Sequence, residues 1–396
     1  MRTAKIGNAN PRLLLLAVIW ILAAIASLPF LFRWHAPQPA TGTAALLRTG
    51  AGYLLTLAVC YLMYRSESRR LTRRHALALV FLILLLTKIT NRIHQYTVDY
   101  GPNAFGSVQN TAWQNMLEDN VIQRVRYDAP HAARFLPNSV VRWLQLGGWS
   151  FPQARDLYRL LFGMLLFYAI YRYARVFSGH LGAIIAVLLT AAVFPISFQY
   201  YVGQLTDPMS HLSFVLAFLF IEREDFPFLL TTLVIGALAK ESVLAMAGYY
   251  ALFGRKDKHY PIKVAGLLVC CAAVYLGVRM LVLGGPMEYK DISGVSIDHV
   301  IRNLSDSRWH YPFLLTAGSL TPMLALGWKQ TPVSLRRLAV YLIPVLFISS
   351  AFFSWLVETR NFMPVVIVLA VAAGYLLANW AATTRGAGEP IPPPAY

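Results

Sequence analysis

The chain has 396 residues, of which 57% are apolar and 13% charged. Soluble globular chains are nearer 25% charged, which argues against a soluble enzyme of ordinary composition. The formal net charge of +17 comes from 35 Lys and Arg against 18 Asp and Glu. In a chain whose apolar residues form runs of membrane-crossing length, that excess is first an orientation signal rather than a sign of nucleic-acid binding.

Twelve spans are predicted, at about 13–33, 45–64, 75–90, 156–174, 180–200, 208–222, 226–239, 242–254, 263–283, 311–328, 337–357 and 362–382. The fold class is therefore an all-α polytopic transmembrane bundle. The first run, Leu13–Phe32, follows Arg2, Lys5 and Arg12 and is long for a cleaved signal, so an uncleaved anchor is expected. Cys60, Cys270 and Cys271 all lie in apolar runs and point to neither a disulfide framework nor a zinc site.

The stretch 226–254 is long enough for one helix. It is split here because Glu222–Asp225 and the basic loop with Arg255, Lys256, Lys258 and Lys263 should both face the cytoplasm. Both do so only if the chain turns at Ala239-Lys240-Glu241. Arg65, Arg69, Arg70, Arg73, Arg74, Arg172, Arg175, Lys329, Arg336 and Arg337 then also lie inside, with both termini. Four segments follow: 1–74 with two helices and a basic loop, a core at 75–283, a second loop and final helices at 284–382, and a Pro-rich tail at 383–396 expected to be disordered.

Long loops fall on the outer side, at about 91–155 and 284–310. A connection of the first length is usually functional or structured. Within it, 108–124 places Trp113, Leu117 and Val121 on one helical face, and 138–149 opens with an Asn-Ser cap. Both are predicted to be amphipathic helices lying in the outer interface, or plugging the bundle. Glu118 and Asp119 point about 100° apart on such a helix and are expected on a solvated face.

The candidate site residues sit at the outer boundary. Asp99, among His94, Tyr96 and Tyr100, has the setting of a general base or a divalent-metal ligand. Arg126, His131 and Arg134, with Asp128, form a polar cluster suited to a phosphate or pyrophosphate, although Asp128 can simply pair with an arginine. Asp207 begins a span and either caps its helix or joins His211, one turn on, in a metal or substrate site. Lys240 and Glu241 cap a short hairpin, where Lys240 can bind an anionic head group with Glu241 as its partner. Glu358 and Arg360 either pair with each other or present Arg360 to a lipid phosphate. Trp309, His310 and Tyr311 fit an aromatic belt, and Lys88 and Arg279 are the deepest charges. No P-loop, GxGxxG or HExxH is present, which argues against ATP-driven transport by this chain alone.

These motifs resemble the GT-C superfamily of polytopic bacterial glycosyltransferases, which use polyprenyl-phosphate-linked sugars. The resemblance rests on Asp99 before a long outer loop with amphipathic segments, and on RYDAPHAARFLPNSVVRWL, LTDPMSHLSFVLAF, ALAKESVL and ETRNFMPVV. It covers about 75–375, but two spans precede the first core helix and no strict Asp-x-Asp occurs. It implies an inverting transfer in the cell envelope, on the outer face of the inner membrane, to a glycan, lipid or protein acceptor. Asp99 would be the base or the partner of a divalent cation such as Mg or Mn. Asp207 and His211 would assist, and Arg134, Lys240 and Arg360 would hold the lipid phosphate. The competing classes are a lipid or polyol transporter or flippase, and an envelope polysaccharide polymerase or ligase. The former predicts charges buried mid-membrane, the latter a large loop between late spans.

Overall fold

The computed structural model describes residues 11–101, 105–125, 131–198, 204–283 and 297–384, without the side chain of Ala132. Arg126 and Asp128 lie outside the described residues, as do most of 284–310 up to residue 296 and the tail from 385. Every regular element among the described residues is helical. The α-helices are α1 (Pro11–Leu31), α2 (Gly42–Glu67), α3 (Arg73–Tyr100), α4 (Ser107–Ile122), α5 (Phe135–Leu146), α6 (Phe151–Ala174), α7 (His180–Val193) and α8 (Thr206–Glu222). They continue as α9 (Phe226–Ala239), α10 (Ala245–Phe253), α11 (Tyr260–Leu283), α12 (Ile297–Ser305), α13 (His310–Phe313), α14 (Ser319–Leu326), α15 (Val333–Phe353) and α16 (Met363–Thr384).

Seven helical stretches are long and apolar enough to cross a membrane. They are α1, α2, α3, α7 with its 3-10 extension to Phe198, α11, α15, and α16 with the turn that precedes it. The other expected spans are the less apolar α6, the 17-residue α8, the 14-residue α9, the 9-residue α10, and α13 and α14 joined by a π turn.

The helix at the centre is α16, which packs against α6, α7, α8, α14 and α15. Residues Val365 to Ala373 are all buried, as an all-round apolar helix must be to hide every face. Its crossing with α7 uses glycines: a Cβ on Gly182 would stand 2.9 Å from the Gly374 carbonyl oxygen. Small residues at a helix crossing let backbones approach where larger side chains would hold them apart.

Polar contacts fix the direction of the chain. At one end Glu67 of α2 accepts from Tyr168 (2.7 Å) and Arg172 (3.2 Å) of α6. Arg255 pairs with Glu224 at 2.6 Å, so the loops before α9 and after α10 share an end. The break after Ala239, a 3-10 turn over Glu241–Leu244, lies at the other end, as the split at Lys240 requires.

That other end carries α4 and α5. Leu117 and Val121 are buried as expected, whereas Trp113 is half-buried. The start of α5 is not at Asn138-Ser139 but at Phe135. Pro137 falls within its first turn, where a missing N–H costs nothing, and Asn138 Nδ2 donates to the Arg134 carbonyl (2.9 Å). Against α5 lies the end of α1: Phe30 stacks on Phe135 at 4.2 Å, and Trp143 Nε1 donates to the Ile25 carbonyl (2.7 Å). The third span runs on to Tyr100, so Asp99 sits in the last turn of α3 rather than in a loop.

Candidate functional site

Five elements bring their ends together beneath α5: the start of α8, the turn between α9 and α10, the end of α11, the end of α15, and the turn before α16. Asp207, in the first turn of α8, is fully buried and makes no capping bond. Its Oδ1 accepts from Arg360 Nη1 at 2.5 Å and lies 3.7 Å from Lys240 Nζ. Arg360 is equally buried and donates through Nη2 to Glu358 Oε2 (2.8 Å). It therefore pairs with Glu358, one of the two expectations, and also with Asp207, a partner the sequence did not indicate.

Lys240 and Glu241 do not pair with each other. Lys240 Nζ donates to Asn361 Oδ1 at 2.6 Å, while Glu241 receives both Nε (3.0 Å) and Nη2 (2.6 Å) of Arg134. Residues adjacent across the β-like Lys240 backbone diverge, and each finds a partner on another element. His211 lies one turn beyond Asp207, and its Nε2 donates to the Arg360 carbonyl (3.2 Å). A buried charge is tolerable when paired and hydrogen-bonded, which this lattice provides.

On the cluster opens a cavity of about 340 Å³. Its lining combines Arg134, Lys240, Glu241, Arg279, Glu358 and Asn361 with Ala245, Tyr275, Val345, Leu346 and Phe353. The Arg279 guanidinium lies 3.5 Å over the Tyr275 ring, and among the described residues no carboxylate stands within ion-pair distance of it. Glu358 Oε2 is taken by Arg360 and Ser354, which leaves Oε1 toward solvent or ligand. Asp207 and His211 do not line this cavity; they stand behind it and hold Arg360 and Lys240.

His131, on a 3-10 turn before α5, accepts from Gln204 Nε2 at Nδ1 (3.0 Å). Burial, with Arg134 and Arg360 nearby, pushes its pKa down to about 3, so the ring is neutral.

Asp99 belongs to a different network. Gln95 donates to Asp99 Oδ1 (2.8 Å) and accepts from Arg159 Nη1 (2.5 Å). Asp207 binds Arg360 directly, whereas Asp99 reaches Arg159 only through Gln95. The two aspartates sit in separate networks; Oδ1 of Asp207 faces two cations, Arg360 and Lys240, and its Oδ2 is buried without a partner. Among the described residues no group of three His, Cys, Asp or Glu is placed to share a metal.

The expected solvated face of α4 is not solvated at Glu118. This side chain is fully buried and receives Arg142 Nε (2.8 Å) and Nη2 (2.9 Å), while Nη2 also reaches Asp119 (2.8 Å) and Nη1 the Trp34 carbonyl (2.7 Å). Burial first, and Asp119 beside it, raise Glu118 to about 7 against the opposing pull of Arg142. Arg142, Arg159 and Asn361 were not singled out in the sequence. Arg155 and Arg159 are nonetheless visible there as paired arginines at i, i+4 opening an apolar run, a pattern that marks function by default.

Comparison of the chain with protein-family models, with curated proteins and with solved structures gives no match.

Proposed function

We propose that the chain is an integral membrane glycosyltransferase that moves a sugar from a polyprenyl-phosphate donor to an envelope glycan, lipid or protein acceptor. In this reading α6, α8, α9, α10 and the α13–α14 pair complete twelve crossings. The α4–α5 end lies on the outer face of a bacterial inner membrane, with both termini in the cytoplasm. The observation that carries the reading is the 340 Å³ cavity whose lining combines Arg134, Lys240 and Arg279 with apolar residues. Three cations match a lipid phosphate, and the apolar residues match the first isoprenoid units.

The chemistry follows from these residues. The acceptor hydroxyl oxygen attacks the anomeric carbon, and the bond from that carbon to the phosphate oxygen breaks with its electron pair. The cations stabilise the negative charge that grows on the departing lipid phosphate. The hydroxyl proton goes to Glu358 Oε1, the carboxylate oxygen facing the cavity without a protein donor. Asp207 and His211 act as positioning residues through Arg360 and Lys240. Asp99 has no contact with the cavity lining.

The test is turnover of polyprenyl-phosphate sugars, radiolabelled in the sugar, by the purified chain in nanodiscs supplied with membranes as acceptor source. Release of lipid phosphate is expected from at least one hexose or pentose donor. Lys240→Ala and Glu358→Gln should each lower it at least a hundredfold. Failure of every donor to be bound or consumed, or undiminished activity in both variants, would overturn the proposal.

A further inference from the structure

A second cavity, of about 150 Å³, lies between α3 and α6, lined by Lys88, Asn91, Arg92, Gln95, Asp156 and Arg159. We propose that it binds the phosphate of an anionic membrane lipid, at a site separate from the cavity at Lys240. The proposal goes beyond the transferase reading and does not depend on it.

Charge is the first argument. Three cations line the cavity against one acid, and that acid, Asp156, already receives Arg155 Nε at 3.1 Å. Among the described residues no carboxylate lies within ion-pair distance of Lys88, Arg92 or Arg159. The second argument is Arg159 itself. It is buried, yet only Nη1 has a partner, Gln95 Oε1; Nε and Nη2 are buried without an acceptor. Buried guanidinium N–H groups are rarely left unbonded, and two on one edge match the two oxygens of a phosphate. The Asp99–Gln95–Arg159 relay fixes this edge, because Asp99 holds the Gln95 amide so that its oxygen meets Nη1. That gives Asp99 a part in the molecule that its sequence position did not reveal.

The third argument is place. Lys88 and Arg92 are exposed on α3 among Leu85, Ile89 and Ile93, which are also exposed and face where lipid chains would lie. At 1.5 Å per residue Lys88 is about 22 Å and Arg92 about 28 Å along α3 from Arg73, near the far end of a hydrocarbon layer about 30 Å thick. Cations at that depth meet lipid phosphates rather than bulk anions.

The test uses the full chain in nanodiscs of phosphatidylcholine with a minor fraction of phosphatidylglycerol. Lipids retained on release are counted by native mass spectrometry. The wild type should keep one phosphatidylglycerol more than Lys88→Gln/Arg92→Gln or Arg159→Gln. Lys240→Gln should keep it too. Lys88 and Arg92 are exposed, so their double variant reads binding without threatening the fold. Equal retention by wild type and double variant would overturn the proposal. Displacement of the retained lipid by millimolar inorganic phosphate would assign the site to the free ion and overturn the lipid assignment.

Discussion

Arg142→Met is the perturbation whose consequence the structure defines most closely. Arg142 joins α5 to α4 through Glu118 and Asp119, and to the α1–α2 connection through the Trp34 carbonyl. Removing one member of a buried ion pair costs about 3–5 kcal/mol, because the remaining charge has no solvent and no partner. Asp119 is half exposed on its side chain and adds less than about 1 kcal/mol. Glu118 has an escape, protonation. Its folded pKa is already raised to about 7 by burial, against a usual 4.5. The folded state therefore holds a proton that the unfolded chain releases. The associated stability is complete below about pH 4.5 and is lost as pH rises through about 7, by at most about 3 kcal/mol. Without Arg142 the folded pKa rises further, so the penalty should grow with pH. At pH 5 only hydrogen bonds are lost, about 1–3 kcal/mol; at pH 8 the cost should approach the full 3–5 kcal/mol. Adding Glu118→Leu should recover most of it, since an apolar pair of similar volume replaces a buried ion pair at little cost. Thermal unfolding of the detergent-solubilised chain, followed by tryptophan fluorescence at pH 5 and pH 8, reads all three proteins. A pH-independent penalty, or a double variant no more stable than Arg142→Met, refutes the reasoning.

Asp207→Asn removes the carboxylate that faces both Arg360 and Lys240; a loss of about 3–5 kcal/mol is expected. Its melting temperature should fall below that of Glu358→Gln, which touches only one of the two cations. His131 acts in the opposite sense to Glu118: its folded pKa is depressed to about 3, so its contribution is present above about pH 6.5 and is lost as pH falls toward 3. His131→Asn should therefore retain about 2–3 kcal/mol more of its neutral-pH stability at pH 4.5 than the wild type does, in the same unfolding assay. Gly182→Leu pushes a side chain into the Gly374 carbonyl at the crossing of α7 and α16. Overpacking of about 3 kcal/mol or more at the centre should abolish a monodisperse peak in detergent chromatography, whereas Gly179→Leu, with open space around its Cβ, should not.

Hydropathy and the distribution of Lys and Arg were enough to place the turn at Lys240, because two basic or acidic loops constrain how many times the chain crosses between them. The association of Asp207, Lys240, Arg360, Glu358, Glu241 and Arg134 at one end followed from the same counting. What counting does not contain is pairing. Lys240 and Glu241 are neighbours in the chain, yet the extended backbone at Lys240 sends them to Asn361 and Arg134. Glu118 looked solvated because no partner for it is visible on its own helix; the partner it finds, Arg142, lies 24 residues away. The continuation of α3 to Tyr100 could not be read from hydropathy either, since residues 91–100 are polar and their helix is held by packing against α6 and α4. Asp99 was misplaced for that reason: an apolar run ended, but the helix did not.

The scarcity of acids then acquires a use. At the α4–α5 end three carboxylates are committed to cations: Asp207 to Arg360 and Lys240, Glu241 to Arg134, Glu118 to Arg142. At Glu241 the pairing fixes the cation at the expense of the carboxylate's freedom to accept a proton, whereas at Glu118 burial outweighs Arg142. Of the cations that line the two cavities, Arg279 in one and Lys88, Arg92 and Arg159 in the other have no carboxylate within ion-pair distance among the described residues. A bundle end built this way holds positive charge in fixed places beside lipid and leaves it partly unmet, which favours binding of anions over storage of protons. Neutralising Asp207 would therefore do more than remove one negative charge. It would release Arg360 and, with it, the position of Lys240 at the cavity, so on the proposed reading affinity for an anionic ligand should fall even though the site becomes more positive.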